Sequence, residues 1–351
     1  MKRNKAVDFL TVTLFFGILL SYTIYIGIDV LVHFKDDNFT ENANKSGFNG
    51  MFYEDDNLDA FVKSLDYKMF GYTGNTNIIV GKDDWLFEVR DSQSGYERLL
   101  DYVGGSEFSA EQLENAHMNI VLEQNYYKAV NAEYMLVVVP DSMTVCADKL
   151  PSYLGKQSDN TRREMLVRYL AERGNGAFVD PTSSLVEANN EVYTYDNTEN
   201  SVNAFGAYII YSNIMQNVSA DLDASFVDRD QVEFFVRNTE GKAVAVSAGL
   251  DKTVKNKTVS LTDKAEYNYK VIASAKNKIV TRMPEPTNGT RVVVECADDW
   301  VRTQLTPYLS NTFYEVVYTS NADVTRAEAD KNGTSLVIRI MHEGELGILT
   351  K

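Results

Sequence analysis

Apolar residues recur with two alternating patterns from about residue 67 to the C-terminus. Short runs rich in β-branched and aromatic residues, typical of buried strands, occur at "YMLVVVP", "AFVD", "RVVVEC", "YEVVYT" and "SLVIRIM". Between these runs, apolar residues return every three or four positions, as do Leu113, Ala116 and Ile120. Strands that alternate with helices predict an α/β fold with a parallel sheet covered by helices on both faces.

Polar residues mark where several predicted helices begin. Ser109 and Gln112 have the spacing of a capping box, and Thr161 and Glu164 repeat it. The alternation of strand and helix is interrupted at residues 222–285, where short β-like segments follow one another. We interpret this interval as a β-rich insertion on the α/β core.

The N-terminus carries a long apolar run. Residues 9–28 are uncharged and are long enough, at ~1.5 Å per residue, to cross a ~30 Å hydrocarbon core. Lys2, Arg3 and Lys5 precede the run, and cationic flanks remain in the cytoplasm. A cleaved signal peptide is the alternative, but its apolar region has only ~7–15 residues and ends at a small-residue cleavage site. We therefore predict a transmembrane anchor with a cytoplasmic N-terminus.

This anchor defines the predicted domain organisation. Residues 1–34 form the anchor, and the polar, Asn- and Gly-rich residues 35–66 form a juxtamembrane spacer. Residues 67–351 then form one extracytoplasmic domain, so we expect a single-pass protein of the cell membrane. The formal net charge of −16 lies almost entirely in this exported part, and an acidic surface repels nucleic acid. We therefore expect no nucleic-acid partner.

Residues with chemical potential follow several predicted strands. In an open parallel sheet, ligands bind beyond the carboxyl ends of the strands. The residues at those ends include Asp141, Asp298, Asp299 and His342. Each of the aspartates also has the alternative role of capping the helix that follows it.

Five sequence motifs in order resemble a known family. They are "VGKDDWLF", "VVVPDSMTVCADKLPSYL", "VDPTSSL", "TENSVNAFGAY", and "VECADDWVRTQLTPYL" with "FYEVVY". In this order they resemble the SGNH-hydrolase-like proteins of polysaccharide O-acetylation, of the AlgJ/AlgX type, and their relatives called DHHW proteins. The resemblance covers roughly residues 68–351. It implies a flavodoxin-like parallel sheet, and an exported protein that moves acetyl groups onto or off cell-surface polysaccharides with a Ser–His–Asp triad.

The residues of that triad are not carried over. The family's frame Thr-Asp-x-His-Trp-Asn-x-x-Gly-Ala-Tyr fits "TENSVNAFGAY" without gaps, which puts the general base at Ser201 and the orienting carboxylate at Glu199. The family's Asp-Ser-Phe, which holds the nucleophile, falls on Asp298, Asp299 and Trp300. A serine nucleophile is weak until a base takes its proton, and both groups are replaced here.

Two replacement mechanisms are open from the sequence. Cys296 could be a nucleophile with His342 as its base, oriented by Glu199 in the manner of a triad. Alternatively, the carboxylates of Glu199, Asp298 and Asp299 could bind Ca²⁺ or another hard cation, although their spacing matches no known loop.

The sequence thus favours a pseudoenzyme that binds a glycan or a partner protein and needs no cofactor. Expected partners are a cell-surface polysaccharide, or a complex with a membrane acyltransferase or glycan synthase. The alternative is an active O-acetyltransferase or acetylesterase with a rebuilt site. The predicted binding crevice consists of Asp141, Glu199, Ser201, Asn203, Asp298, Asp299, Trp300 and His342.

The two cysteines give a further prediction. Cys146 and Cys296 each follow a strand that the resemblance places in the centre of the sheet. We therefore predict that they lie on adjacent strands. Whether they form a disulfide stays open, since a bond requires Cα atoms within ~7 Å.

Overall fold

The computed structural model describes residues 56–351 except 92–93, 175–176, 223, 225, 263–267, 285–288 and 332, together with six residues between positions 13 and 24. These six residues are helical. Most of the predicted anchor at residues 9–28, and the predicted spacer up to residue 55, lie outside the described residues. Within the described residues, no helix is both long enough and apolar enough to cross a membrane.

The described chain from residue 56 onward alternates helices and strands. The α-helices are α1 (Asp56–Phe70), α2 (Arg98–Tyr102), α3 (Ala110–Ala129), α4 (Ser142–Val145), α5 (Arg162–Arg173), α6 (Thr182–Ala188), α7 (Ala204–Asn217), α8 (Ala243–Ser247), α9 (Asp299–Thr312) and α10 (Ala322–Ala329). The strands are β1 (Ile78–Val80), β2 (Leu86–Glu88), β3 (Glu133–Val139), β4 (Phe178–Val179), β5 (Phe234–Thr239), β6 (Asn256–Leu261), β7 (Lys270–Ala275), β8 (Lys278–Arg282), β9 (Arg291–Cys296), β10 (Glu315–Thr319) and β11 (Thr334–His342). Helix α1 begins inside the interval predicted to be a polar spacer.

A seven-stranded sheet with the order β4-β3-β11-β9-β10-β8-β7 is the centre of the fold. The first five strands in this order are parallel, and β8 and β7 continue the sheet as antiparallel strands. The predicted α/β fold is confirmed, and the sheet, which was predicted to be parallel, is mostly parallel. Within residues 222–285, which were predicted to be an insertion, β5 and β6 form a separate antiparallel ribbon. Strands β7 and β8 of the same interval belong to the central sheet.

Helices cover both faces of this sheet. Alternate residues of β3 belong to different apolar clusters, because successive side chains of a strand point to opposite faces. Val137 and Val139 lie in one cluster with residues of α7 and α9. Leu136 and Val138 lie in the other with residues of α3 and α5. Strand β3 is therefore buried from both sides.

Helix ends follow the predicted polar signals. Ser109 Oγ accepts a hydrogen bond from the backbone N–H of Gln112, and the side chain of Gln112 accepts one from the backbone N–H of Ser109. Thr161 Oγ1 accepts a hydrogen bond from the backbone N–H of Glu164, at 3.2 Å. These bonds satisfy N–H groups that have no partner within the first turn of a helix.

The prediction for the two cysteines is wrong. Cys146 follows helix α4 instead of lying on a strand, and Cys296 ends β9. Strand β11 lies between β3 and β9, so the two cysteines are not on adjacent strands. Both thiols are free and buried in the same apolar cluster, and burial raises the pKa of each.

Candidate functional site

A cavity of about 630 Å³ lies at the carboxyl ends of β9 and β11. Its walls come from four parts of the chain: the segment that includes helix α2, the loop before α7, the turn between β9 and α9, and the residues after β11. The lining includes Arg98, Tyr195, Glu199, Asn200, Ser201, Val202, Asp298, Asp299, Trp300, His342 and Glu345. Six of the eight residues predicted for the crevice are thus brought together, and Asp141 and Asn203 are not among the lining residues.

The loop before α7 is held as a tight turn. Tyr195 and Val202 form an antiparallel bridge, and Asn200 between them has a φ of 56°, in the left-handed region that Asn tolerates better than most residues. Ser142 Oγ donates a hydrogen bond to Asn200 Oδ1 at 2.8 Å. The turn therefore holds Glu199 and Ser201 at the wall of the cavity.

Asn203 has a structural role instead of the binding role predicted for it. It is 1% exposed, and its Oδ1 accepts hydrogen bonds from the backbone N–H groups of Phe205 and Gly206, each at 3.0 Å. It is therefore the N-cap of α7. Gly206 packs directly on the backbone of Thr194, because a Cβ at this position would lie 2.2 Å from the Thr194 carbonyl oxygen.

The turn after β9 forms the opposite wall. Asp298 is the N-cap of α9, and its Oδ1 accepts hydrogen bonds from the backbone N–H groups of Trp300 and Val301, at 2.8 and 3.0 Å. Asp299 Oδ1 lies 2.8 Å from a guanidinium nitrogen of Arg302. The indole N–H of Trp300 donates to the Val202 carbonyl oxygen at 2.7 Å. Trp300 thereby ties this turn to the loop that carries Glu199 and Ser201.

Ser201 and Glu199, to which the sequence resemblance assigned the base and the orienting carboxylate, each contact neighbouring backbone groups. Ser201 Oγ donates to the backbone carbonyl of Glu199, at 3.5 Å. Burial raises the pKa of the Glu199 carboxyl above its ordinary value, while a hydrogen bond from the Ala243 backbone and the charge of Lys242 oppose this shift. Glu199 is therefore a half-buried carboxyl that lines a cavity and holds its proton more tightly than a carboxyl in water.

His342 lines the cavity and lies close to the buried Asp141. His342 Nδ1 accepts a hydrogen bond from the Gly344 backbone N–H at 3.2 Å, and Nε2 lies 4.0 Å from Asp141 Oδ2. Asp141 is only 4% exposed, its Oδ1 caps α4, and its Oδ2 accepts a hydrogen bond from Arg98 Nε at 2.8 Å. The prediction that Asp141 belongs to the binding surface is corrected, because its carboxylate is used by Arg98 and by a helix N-terminus.

Arg98 is a lining residue that the sequence did not reveal. Its guanidinium pairs with Glu88, with Asp91 at 3.5 Å, and with Asp141 at 2.8 Å. Burial disfavours its charged form, but the carboxylates of Asp141 and Glu88 prevail and raise its pKa. The acidic residues predicted for the crevice indicate that a basic side chain lies near them. No sequence motif, however, distinguishes Arg98 from the other basic residues of the chain.

The two replacement mechanisms lack support in this geometry. Cys296 is 1% exposed and its thiol donates to the Asp298 carbonyl oxygen at 3.3 Å, so it is not an accessible nucleophile. Within the part of the chain that the structure describes, no three His, Cys, Asp or Glu residues are grouped so that they could hold a metal ion. Asp299, one of the proposed cation ligands, pairs with Arg302 instead.

Comparison with known proteins identifies the fold. No family model and no curated protein sequence matches the chain. The solved structure of Bacillus cereus PatB1 matches with a TM-score of 0.57 and 15% identity, over 78% of this chain and 98% of PatB1. The structure of PatB1 with a sulfonyl adduct matches with a TM-score of 0.54. A DHHW family protein from Eubacterium siraeum matches with a TM-score of 0.50 and 13% identity, over 77% of this chain and 94% of that protein. The O-acetyltransferase domain of Pseudomonas putida AlgJ has a TM-score of 0.46 and 14% identity, over 78% of this chain and 92% of that domain.

These matches confirm the resemblance seen in the sequence at the level of the fold. The chain has an α/β fold similar to that of PatB1 and of the DHHW protein. At 13–15% identity the similarity concerns the fold, and the chemistry of the crevice has to be argued from its own residues.

Proposed function

We propose that this chain is a membrane-anchored, extracytoplasmic pseudoenzyme that binds a saccharide in the crevice without transferring an acyl group. We further propose that it acts in the modification or assembly of a cell-surface polysaccharide, beside a membrane acyltransferase or glycan synthase. The setting is supported by the five sequence motifs and by the fold shared with PatB1. The feature on which the proposal depends most is the turn Asp298–Trp300, because the sequence resemblance puts the family's nucleophile at Asp299.

Acyl transfer in this crevice would need groups that the side chains do not supply. The reaction requires a nucleophile, a base that takes its proton, and hydrogen-bond donors for the developing oxyanion. Asp299 pairs with Arg302, and Ser201, at the position of the base, has a hydroxyl that is not basic at neutral pH. A carboxylate at position 299 repels a developing oxyanion.

The same side chains suit a saccharide. Carboxylate oxygens of Glu199 and Asp299 accept hydrogen bonds, which sugar hydroxyls donate. Trp300 is 38% exposed and lines the cavity, so its ring offers an apolar face against which a sugar ring can pack. An aromatic surface flanked by a few polar groups is typical of a site that binds a small polar ligand.

A second candidate function is an active transferase or esterase with a rebuilt site. The observation in its favour is Glu199, whose raised pKa and place in the cavity suit a general acid or base. This mechanism would use a carboxyl in place of the Ser–His pair. It predicts ester turnover that depends on Glu199.

Saccharide binding is tested with the full-length chain in detergent and oligosaccharides released from the producing cell's own surface. Trp85 is buried and Trp300 is exposed, so a ligand-dependent change in tryptophan fluorescence reports on Trp300. We expect Trp300→Ala to weaken retention of the oligosaccharides about fivefold, because an aromatic contact is worth on the order of 1 kcal/mol. Tyr153→Ala, at an exposed aromatic outside the cavity lining, is the control and should bind normally.

Binding by Trp300→Ala as tight as that of the unmodified chain would contradict the proposal, and so would failure of the unmodified chain to bind any fragment.

Membrane anchoring is tested separately by fractionation of cells. We expect the chain in the membrane fraction, with its C-terminus digested by protease added from outside. Release into the medium with a new N-terminus near Ile28 would contradict the anchor.

A further inference from the structure

The central sheet ends at β7, a strand that no other described strand covers on its outer side. Strand β7 is the last in the order of the sheet and pairs only with β8. All six of its residues are exposed, whereas β4, at the opposite edge, has only two residues, one of them buried. The outward N–H and C=O groups of such an edge strand are a template on which a further strand can pair.

Two large apolar side chains are exposed on β7. Val271 is 58% exposed and Ile272 is 47% exposed. Val271 lies opposite Thr281 of β8, and Thr281 is buried and shares a hydrogen bond with Ser310 of α9. Residues opposite each other in an antiparallel pair lie on the same face, so Val271 lies on the α9 side of the sheet. Apolar side chains exposed on a strand edge favour contact with another chain.

Lysines flank this apolar pair. Lys270 begins β7, and Lys276 directly follows its last residue. The neighbouring cations of β8, Lys278 and Arg282, pair with glutamates of other elements. Within the described residues, by contrast, no ion pair engages Lys270 or Lys276. The chain has a formal net charge of −16, so this edge is a basic strip on an acidic protein.

The two lysines disfavour a second copy of the chain as the occupant of this edge. Two copies paired antiparallel about the middle of β7 would place Lys270 of each copy beside Lys276 of the other. Parallel pairing would place each lysine beside its own counterpart. Like charges across a strand pair destabilise the pair, and two chains of net charge −16 also repel each other. A strand with acidic residues at these positions instead forms two attractive pairs.

We propose that β7 is a docking edge for an extended segment of a partner protein. This segment adds a strand to the central sheet, places acidic side chains beside Lys270 and Lys276, and covers Val271 and Ile272 with apolar side chains. In this mode of recognition the main-chain hydrogen bonds supply affinity, and the side chains select the partner. No residue of β7 lines the crevice, so the docking edge is separate from the proposed saccharide site.

The test is fluorescence anisotropy of a labelled synthetic peptide, Glu-Val-Thr-Val-Thr-Val-Glu, with the full-length chain in detergent at low salt. In an extended peptide the glutamates and the valines lie on opposite faces, as successive residues such as Lys270 and Val271 do on a strand. We expect saturable binding by the unmodified chain. A peptide with lysines in place of both glutamates should bind about tenfold more weakly, because its charges are repelled.

A second peptide tests whether the backbone pairs. It has proline at its third and fourth positions and keeps both glutamates. Successive N–H groups of a strand point to opposite sides, so one of the two prolines removes an N–H that would face β7. We expect this peptide to bind about tenfold more weakly than the parent peptide, because the main-chain bonds carry the affinity.

A pair of charge-reversed variants locates the contact. Lys270→Glu combined with Lys276→Glu should bind the glutamate peptide about tenfold more weakly and should bind the lysine peptide more tightly than the unmodified chain does. Lys128→Glu combined with Lys252→Glu changes the net charge by the same amount at exposed lysines outside β7, and should bind the glutamate peptide normally. Unfolding curves verify that both variants are folded.

Several outcomes would overturn the proposal. They are failure of the unmodified chain to bind the glutamate peptide, equal binding of the proline peptide, and equal loss of binding in the Lys128→Glu, Lys252→Glu control. Sedimentation of the full-length chain in detergent tests the other occupant. A dimer that Ile272→Asp dissociates would identify a second copy at this edge and overturn the proposal of a partner protein.

Discussion

Glu343 lies beneath the crevice and gives the most quantitative prediction. Its carboxyl is 1% exposed, and Oε2 accepts hydrogen bonds from the Asp141 backbone N–H at 2.8 Å and from Thr144 Oγ1 at 3.3 Å. Burial raises the pKa of Glu343 to about 7, and the charge of Asp141 adds to this, while Arg163 opposes it. The folded chain therefore binds this proton more tightly than the unfolded chain does.

The sign of the pH effect follows from the raised pKa. The stability contributed by protonated Glu343 is fully present below the unfolded pKa of 4.5 and is lost as the pH rises through about 7. With these two values, the contribution falls by about 2–3 kcal/mol between pH 5 and pH 8, since one pKa unit corresponds to ~1.4 kcal/mol. Glu343→Gln has no proton to lose and removes this dependence.

The assay is urea unfolding of the full-length chain and of Glu343→Gln at pH 5 and pH 8, followed by circular dichroism. The free energy of unfolding of the variant relative to the unmodified chain should be higher at pH 8 than at pH 5 by about 2–3 kcal/mol. Glu240→Gln, at an exposed residue, is the control and should show no such difference. A relative stability of Glu343→Gln that is equal at both pH values, or lower at pH 8, would refute the reasoning.

Two further predictions concern packing around the site. Gly206→Ala should lower the free energy of unfolding, measured by denaturant titration, by about 1–3 kcal/mol, because the new Cβ would collide with the Thr194 carbonyl. Gly347→Ala is the control and should be close to neutral, because the nearest atom to its new Cβ is Arg162 Nη1 at 3.8 Å. Equal stability of the two variants would contradict the packing argument. Cys146 and Cys296 should resist alkylation in the folded chain and react once the chain is denatured, as measured by mass spectrometry. Rapid alkylation of either thiol under native conditions would contradict their burial.

Local signals in the sequence predicted much of the fold. The capping box of Ser109 and Gln112 marked the start of α3, because these side chains satisfy the first N–H groups of a helix wherever the helix packs. The alternating runs indicated a parallel sheet. The order of the strands could not be read in the same way: β11 lies between β3 and β9 because of long-range packing, and this order separates Cys146 from Cys296.

In the candidate site, too, the sequence indicated local features but not the contacts between distant parts of the chain. The resemblance indicated Glu199, Ser201 and Asp299, and these residues line one cavity. Asp141 was assigned to the binding surface because it ends a strand, but its contact with Arg98 depends on a helix far away in the chain. Partners of this kind come from the tertiary fold, so they leave no local pattern in the sequence.

Ester turnover tests the central claim most directly. The full-length chain in detergent is incubated with a chromogenic acetyl ester, with and without an oligosaccharide acceptor, beside Asp299→Ala, Glu199→Ala and Asp299→Ser. We predict that all four proteins release acetate no faster than buffer, including Asp299→Ser, because Ser201 offers no base to a restored nucleophile. Turnover by the unmodified chain well above buffer, abolished by Asp299→Ala or Glu199→Ala, would contradict the account and establish a carboxylate-based enzyme.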